Sequence, residues 1–177
     1  MTYTVRRAIQ SDVESIQTFY NDSLPLINIQ QTSWIPNVYP NFSDALNAIS
    51  KKEFFICLDE QDIVVGSMIL NHESDKAYQK LEWLKSEKNS KQGNLIVHTL
   101  ISHPKKPKKG IASYMIMFIK KYAAENNMAS IRLDTFVNNI PARKLYEKNG
   151  FSYIGRTELT SFDNNGTDDC VFYEFQV

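Results

Sequence analysis

Residues 94–102, NLIVHTLIS, form an almost unbroken apolar run that carries no full charge. A run of that kind has no wet face, so it predicts a strand covered on both sides in the middle of a sheet. Pro104 terminates it. Beyond it, Ile111, Met115, Phe118, Ile119 and Tyr122 recur at helical spacing, which predicts a helix from Gly110 to about residues 126–127. SIRLDTF, residues 130–136, reads as the next strand. Strand, helix and strand in that order require a layer of helices packed on a sheet.

The flanking sequence extends this plan. TYTVRRA alternates as a strand, and Ser11 or Asp12 can cap a helix carrying Val13, Ile16 and Tyr20. Residues 23–42 contain Pro25, Pro36 and Pro40 and predict no long regular element. A second helix is expected over 43–50, then a hairpin of EFFICL and IVVGSMIL about the turn DEQD, with Gly66 marking a bulge. Residues 74–92 place Ala77, Leu81 and Leu84 at helical spacing in a charged background, which predicts an exposed amphipathic helix and a polar loop. A short helix over 140–149, closed by Gly150, precedes two strands near 151–160 and 169–176 about DNNGTD. The whole of 1–177 reads as one mixed α/β domain, with the helical 74–92 segment as an insertion.

A chain of 177 residues with 42% apolar and 12% aromatic side chains can bury a sufficient core without staples. Twenty basic residues balance twenty acidic ones, which removes any general pull toward nucleic acid or an anionic membrane. No stretch approaches the ~20 apolar residues of a membrane helix, and a cytoplasmic location is expected. Cys57 and Cys170 lie in apolar runs and read as reduced, buried side chains. No histidine has metal-ligand spacing to a cysteine or carboxylate, so no metal is expected.

Chemistry concentrates in HPKKPKKG, where Lys105, Lys106, Lys108 and Lys109 crowd the start of the helix. A helix N-terminus disfavours cations unless an anion joins them, and its free N–H groups suit phosphate oxygens. The alternatives are a solvated lysine loop or a nucleic-acid patch, and the neutral net charge weighs against the latter.

This stretch resembles the phosphate turn of the GNAT acetyltransferases, Gln/Arg-x-x-Gly-x-Gly/Ala, here Pro107-Lys108-Lys109-Gly110-Ile111-Ala112, with Pro107 in place of the usual Gln or Arg. A second segment, Asn139-Ile140-Pro141-Ala142-Arg143-Lys144-Leu145-Tyr146-Glu147-Lys148-Asn149-Gly150-Phe151, is similar to the family's N-x-x-A-x-x-L-Y-x-x-x-G-F. The resemblance covers nearly the whole chain. It implies a mixed sheet of six to seven strands flanked by helices, with two central strands splayed to admit the pantetheine arm of acetyl-CoA. By that resemblance Leu100, Ile101 and Ser102 offer main-chain contacts to the arm, and the amides of Lys108, Lys109, Gly110, Ile111, Ala112 and Ser113 hold the pyrophosphate. Asn139 contacts the cofactor, and Tyr146 protonates the leaving thiolate.

Direct attack by an amine needs a base, for which Asp134 and His98 are the candidates. Asp134 could equally cap a turn or pair with an arginine, and His98, sharing strand parity with Ile96 and Leu100, could be a satisfied core residue. Trp34, Tyr39 and Phe162 are candidate acceptor-lining residues. The expected function is transfer of an acetyl group from acetyl-CoA to a primary amine, with a small molecule as acceptor. A protein N-terminus or lysine is the alternative acceptor, and a non-catalytic CoA-binding regulator or a homodimer is also compatible with the sequence.

Overall fold

The computed structural model describes residues 2–84, 93–105 and 110–177. Strand β1 (Thr4–Arg7) leads into helix α1 (Val13–Ser23), and the Asp12 carboxylate at that entry accepts from both ends of the Arg6 guanidinium at 2.7 Å. Residues 24–40 contain no long regular element, as their prolines predict, but two short 3-10 turns, Leu24–Leu26 and Ile29–Gln31, and a single antiparallel bridge between Ile35 and Tyr39. Helix α2 (Phe42–Ser50) starts on a reciprocal cap between Asn41 and Asp44. Strands β2 (Phe54–Leu58), β3 (Val64–Asn71) and β4 (Asn94–Ser102) follow, then helix α3 (Ile111–Glu125) and strand β5 (Ser130–Phe136). Helix α4 (Ile140–Lys148) and the hairpin β6 (Ser152–Thr160) and β7 (Thr167–Gln176) complete the chain.

The seven strands form one sheet in the order β1-β2-β3-β4-β5-β7-β6. All neighbours are antiparallel except β4 and β5. Phe54, Ile56 and Leu58 pack with α1 and α2 on one face, while Phe55 and Cys57 pack toward α3 and α4 on the other. β4 is therefore covered on both sides, which is why its sequence has no polar alternation. Cys57 and Cys170 are free and buried, and burial pushes the Cys57 thiol up to about 12.

Two irregularities shape the centre. β4 and β5 pair only through Asn94–Ser130, Leu95–Ile131 and Ile96–Arg132, although both strands run several residues further. Opposite β3, Ser67 faces Ile101 and Ile69 faces His98, so two β4 residues stand against Met68 alone. That is a β-bulge, and Thr99 takes φ 50° within it. The expected shared parity of Ile96, His98 and Leu100 is thereby corrected. Past the bulge Leu100 packs toward the α3 face and Ile101 toward α1 and α2, because an inserted residue exchanges the two faces.

Residues 74–92 also depart from expectation. In their described part the amphipathic helix is replaced by a 3-10 turn, Lys76–Lys80, capped by Asp75. Docking onto the sheet outweighs the helical spacing here. The Trp83 indole N–H donates to the Tyr78 carbonyl at 2.8 Å and its ring lies 4.3 Å from the Arg132 guanidinium. Arg132 is itself bonded to the buried Glu174 carboxylate at 2.9 Å, whose other oxygen accepts from the Leu84 N–H at 2.6 Å. Residues 85–92 lie outside the described residues.

Gly66 sits beside a second bulge, in β3, where Cys57 pairs with Gly66 and Leu58 with Val64. A Cβ there would come within 2.7 Å of the Met115 sulfur and 3.0 Å of the Ile101 carbonyl, so the missing side chain lets α3 lie close over the sheet. Gly66→Val is expected to lower stability by about 1–3 kcal/mol through overpacking, measured by chemical denaturation. A variant as stable as the parent would contradict this packing.

Candidate active site

Where β4 and β5 separate, a cavity of about 530 Å³ opens through the sheet. Tyr146 and Ala142 line it from α4, Asn139 from the cap of that helix, Ala112 from α3, and residues 97–102 and 134–136 from the parted strands. On the opposite side its walls come from residues 27–39, from Asp75 and Tyr78 of the docked segment, and from the β6–β7 hairpin.

The gap follows from the strand ends. Beyond Ile96 and Arg132 the facing edges of β4 and β5 no longer bond to each other, and unpaired backbone N–H and C=O groups are what an extended, amide-bearing ligand requires. At one mouth Gly110, at φ 75°, caps α3, and a Cβ placed on it would meet nothing within 4 Å. The Tyr114 N–H is bonded to the Gly110 carbonyl, so the amides of Ile111, Ala112 and Ser113 stand ahead of the helical ladder. These features fit a long chain ending in phosphates.

Asp134, from β5, is partly exposed into the cavity and accepts from the Tyr78 hydroxyl at 2.8 Å. Burial pushes its carboxyl up to about 6; the Tyr78 bond opposes the rise and the negative charge of Asp75 adds to it. The Tyr78 hydroxyl is raised well above its ordinary range by burial and then by Asp134, so it stays a donor.

Tyr146 is 7% exposed and packs against Phe151 and Tyr173. Burial, with the charges of Asp134 and Tyr173 adding, raises its hydroxyl above the ordinary range and keeps it protonated at neutral pH.

His98 is the second candidate base. The Asn71 side-chain oxygen is fixed by the Glu73 N–H at 3.0 Å, and His98 Nε2 lies 2.9 Å from that oxygen and 3.0 Å from the Glu73 carbonyl. Two acceptors around Nε2 assign the proton there and leave the lone pair on Nδ1. Burial lowers the His98 pKa, so the ring is neutral at pH 7.

The pattern of the acetyltransferase (GNAT) family matches residues 16–151. The chain belongs to that family. The GNAT-family acetyltransferase of Streptococcus agalactiae 2603 superposes with a TM-score of 0.76 at 15% identity, over 99% of this chain and 95% of that one. Arabidopsis thaliana NAA60 in complex with acetyl-CoA superposes at 0.70 and 16% identity, over 99% and 100%. In sequence, the streptothricin acetyltransferase of Escherichia coli is 42% identical over 80 residues, which span 44% of this chain and 45% of that protein.

The structure brings most of the residues expected from sequence to one cavity. Leu100, Ile101, Ser102, Ala112, Asn139, Asp134 and Tyr146 line it, as do Trp34, Tyr39 and Phe162. The Asn139 side-chain oxygen accepts from the Ala142 N–H at 3.2 Å as the cap of α4, leaving its amide hydrogens as donors. Ile111 is different, since its side chain is buried in the α3 core and only its backbone faces the helix start. Lys106, Pro107, Lys108 and Lys109 lie outside the described residues.

Tyr78, Asp75 and Asp168 also line the cavity and were not expected from the sequence. Tyr78 sits in the segment read as an exposed helix, and nothing in its spacing pointed to burial. The Asp168–Asp169 pair offered a faint signal only. Among the described residues no three His, Cys, Asp or Glu side chains assemble as a metal site, and no helix is long and apolar enough to cross a membrane.

The Asp134 carboxyl is expected to titrate near pH 6 by NMR. Tyr78→Phe should shift that midpoint upward, because the lost hydrogen bond favours the ionised form. An Asp134 midpoint in the ordinary range, near 4, would contradict the geometry described.

Proposed function

We propose that this acetyltransferase transfers the acetyl group of acetyl-CoA to a primary amine on a small cationic molecule, by direct attack within the through-sheet cavity. The observation that carries the reading is the lining of the acceptor side. Asp75, Asp134 and Asp168 face it, and no lysine or arginine lines the cavity among the described residues. Above these carboxylates Tyr39 and Phe162 stack with ring centroids 3.9 Å apart and planes 8° from parallel. That stack ties residues 27–39 to the closing hairpin across the cavity. A bridge of that kind across the cavity favours a compact molecule over a polypeptide, which needs an unobstructed groove. The partial likeness to a streptothricin acetyltransferase supports the same choice.

Acetyl-CoA supplies the activated thioester. Asp134 takes the proton from the incoming ammonium; a carboxyl held near 6 is ionised at neutral pH yet more basic than an ordinary aspartate. Tyr78 keeps its carboxylate in place. Tyr146, protonated and close to the parted strands, gives its proton to the departing sulfur. Backbone N–H groups of β4 left unpaired by the gap are the donors available to the acetyl oxygen. Leu100, Ile101 and Ser102 hold the pantetheine arm, and Asn139 with the amides of Lys108, Lys109, Gly110, Ile111, Ala112 and Ser113 holds the rest of the donor.

Thiol release from acetyl-CoA, measured over a panel of amines that includes streptothricin, tests the acceptor class. Tyr146→Phe and Asp134→Asn should each lower kcat by about 10²–10⁴-fold on whichever amine is used. The acid limb of kcat/KM should fall near pH 6, with activity lost as Asp134 is protonated, and should move to higher pH in Tyr78→Phe. Turnover of peptides but of no small amine would overturn the acceptor assignment. An acid limb unmoved by Tyr78→Phe would remove Asp134 from the base role.

A further inference from the structure

Two adjacent aspartates near the start of β7 have different environments. Asp169 accepts from the Arg156 Nε at 2.7 and 2.9 Å on the outer side of the hairpin. Asp168 turns to the cavity, and its Oδ2 is fully buried with no hydrogen-bond partner. A buried carboxylate oxygen without a partner is costly and calls for a donor that arrives with the ligand.

Its place relative to Asp134 is set by the strand register. Asp134 pairs with Phe172, four residues along β7 from Asp168. Residues 168, 170 and 172 share one face of β7 by strand periodicity, the face on which Cys170 and Phe172 pack with Tyr78. Asp168 thus lies on the acceptor side, roughly 13 Å along the strand from the level of Asp134 at about 3.3 Å per residue. Phe162 closes the same hairpin and stacks on Tyr39, so an aromatic surface stands at that end of the cavity. A carboxylate beside aromatic rings is a setting that suits an ammonium or guanidinium group.

Resting on the acceptor reading above, we infer that the acceptor carries a second cationic group, bound by Asp168 at the hairpin wall while the nitrogen to be acetylated sits at Asp134. Asp168 is then a specificity residue. It selects long diamines and amino-guanidines over monoamines of equal length, and it fixes which end of the molecule meets the thioester.

The experiment measures kcat/KM for linear α,ω-diamines of graded length and for alkyl monoamines of matching length. Binding of the same amines to the protein–CoA complex is measured by calorimetry. The expected result is a preference for diamines on the order of 30-fold, the scale of a buried charge pair. It should peak at a length that spans the two carboxylates, appear in both measurements, and collapse toward unity in Asp168→Asn. Equal turnover and binding of diamines and monoamines in the parent protein overturns the inference without use of any variant, while leaving the acceptor reading intact. A diamine preference that survives Asp168→Asn also overturns it. Binding of CoA with neither binding nor turnover of any amine overturns both readings together.

Discussion

Everything distinctive about this protein depends on the early end of pairing between its two parallel strands. β4 and β5 share three residue pairs and then part, while β5 remains paired with β7 along its length and β4 remains paired with β3 apart from one bulge. Sheets do not open at their centre without cause, because unpaired backbone groups in a dry interior are costly. The opening is held by what flanks it. The bulge at Thr99 turns the end of β4, the Tyr39 hydroxyl bonds the Thr99 hydroxyl inside the cavity, and α3 and α4 brace the parted strands from one side. The product is a passage through the sheet, with a phosphate-compatible helix start at one end and a carboxylate-lined chamber at the other.

That geometry divides labour between the two faces. The α3 and α4 face presents backbone amides and the Tyr146 hydroxyl. The other face presents Asp134, Tyr78, Asp75 and Asp168. Two titratable groups, Asp134 and Tyr146, thus stand on opposite sides of the opening. Burial raises both, leaving the Asp134 carboxylate more basic than an ordinary aspartate and the Tyr146 phenol protonated at neutral pH. The segment around Tyr78 joins this arrangement through a structural anchor, since Trp83 on the Arg132–Glu174 pair sets the turn from which Tyr78 reaches Asp134.

The sequence made the sheet and its covering helices legible because their patterns are local. The NLIVHTLIS run, the α3 stripe and the closing hairpin all lie within two or three residues of where they were expected. The two family-like segments located Tyr146, Asn139 and the α3 start. What escaped was non-local. The Thr99 bulge depends on pairing with β3, and it reversed the inferred parity of Leu100. The 74–92 segment carries helical spacing, yet Tyr78, edge-to-face with Phe172, and Trp83, over the Arg132 guanidinium, gain more from that packing than a solvated helix would offer. Asp168 is indistinguishable from its outward neighbour Asp169 until the hairpin register is known.

The most direct test of this account is hydrogen exchange with and without acetyl-CoA, followed along the backbone. The opened edges should gain protection at residues 97–102 and at the amides of Ile111, Ala112 and Ser113, while the paired segment Asn94, Leu95 and Ile96 stays as it was. Protection that spares 97–102, or that appears only on surfaces away from the gap, would contradict the claim that the parted strands receive the donor.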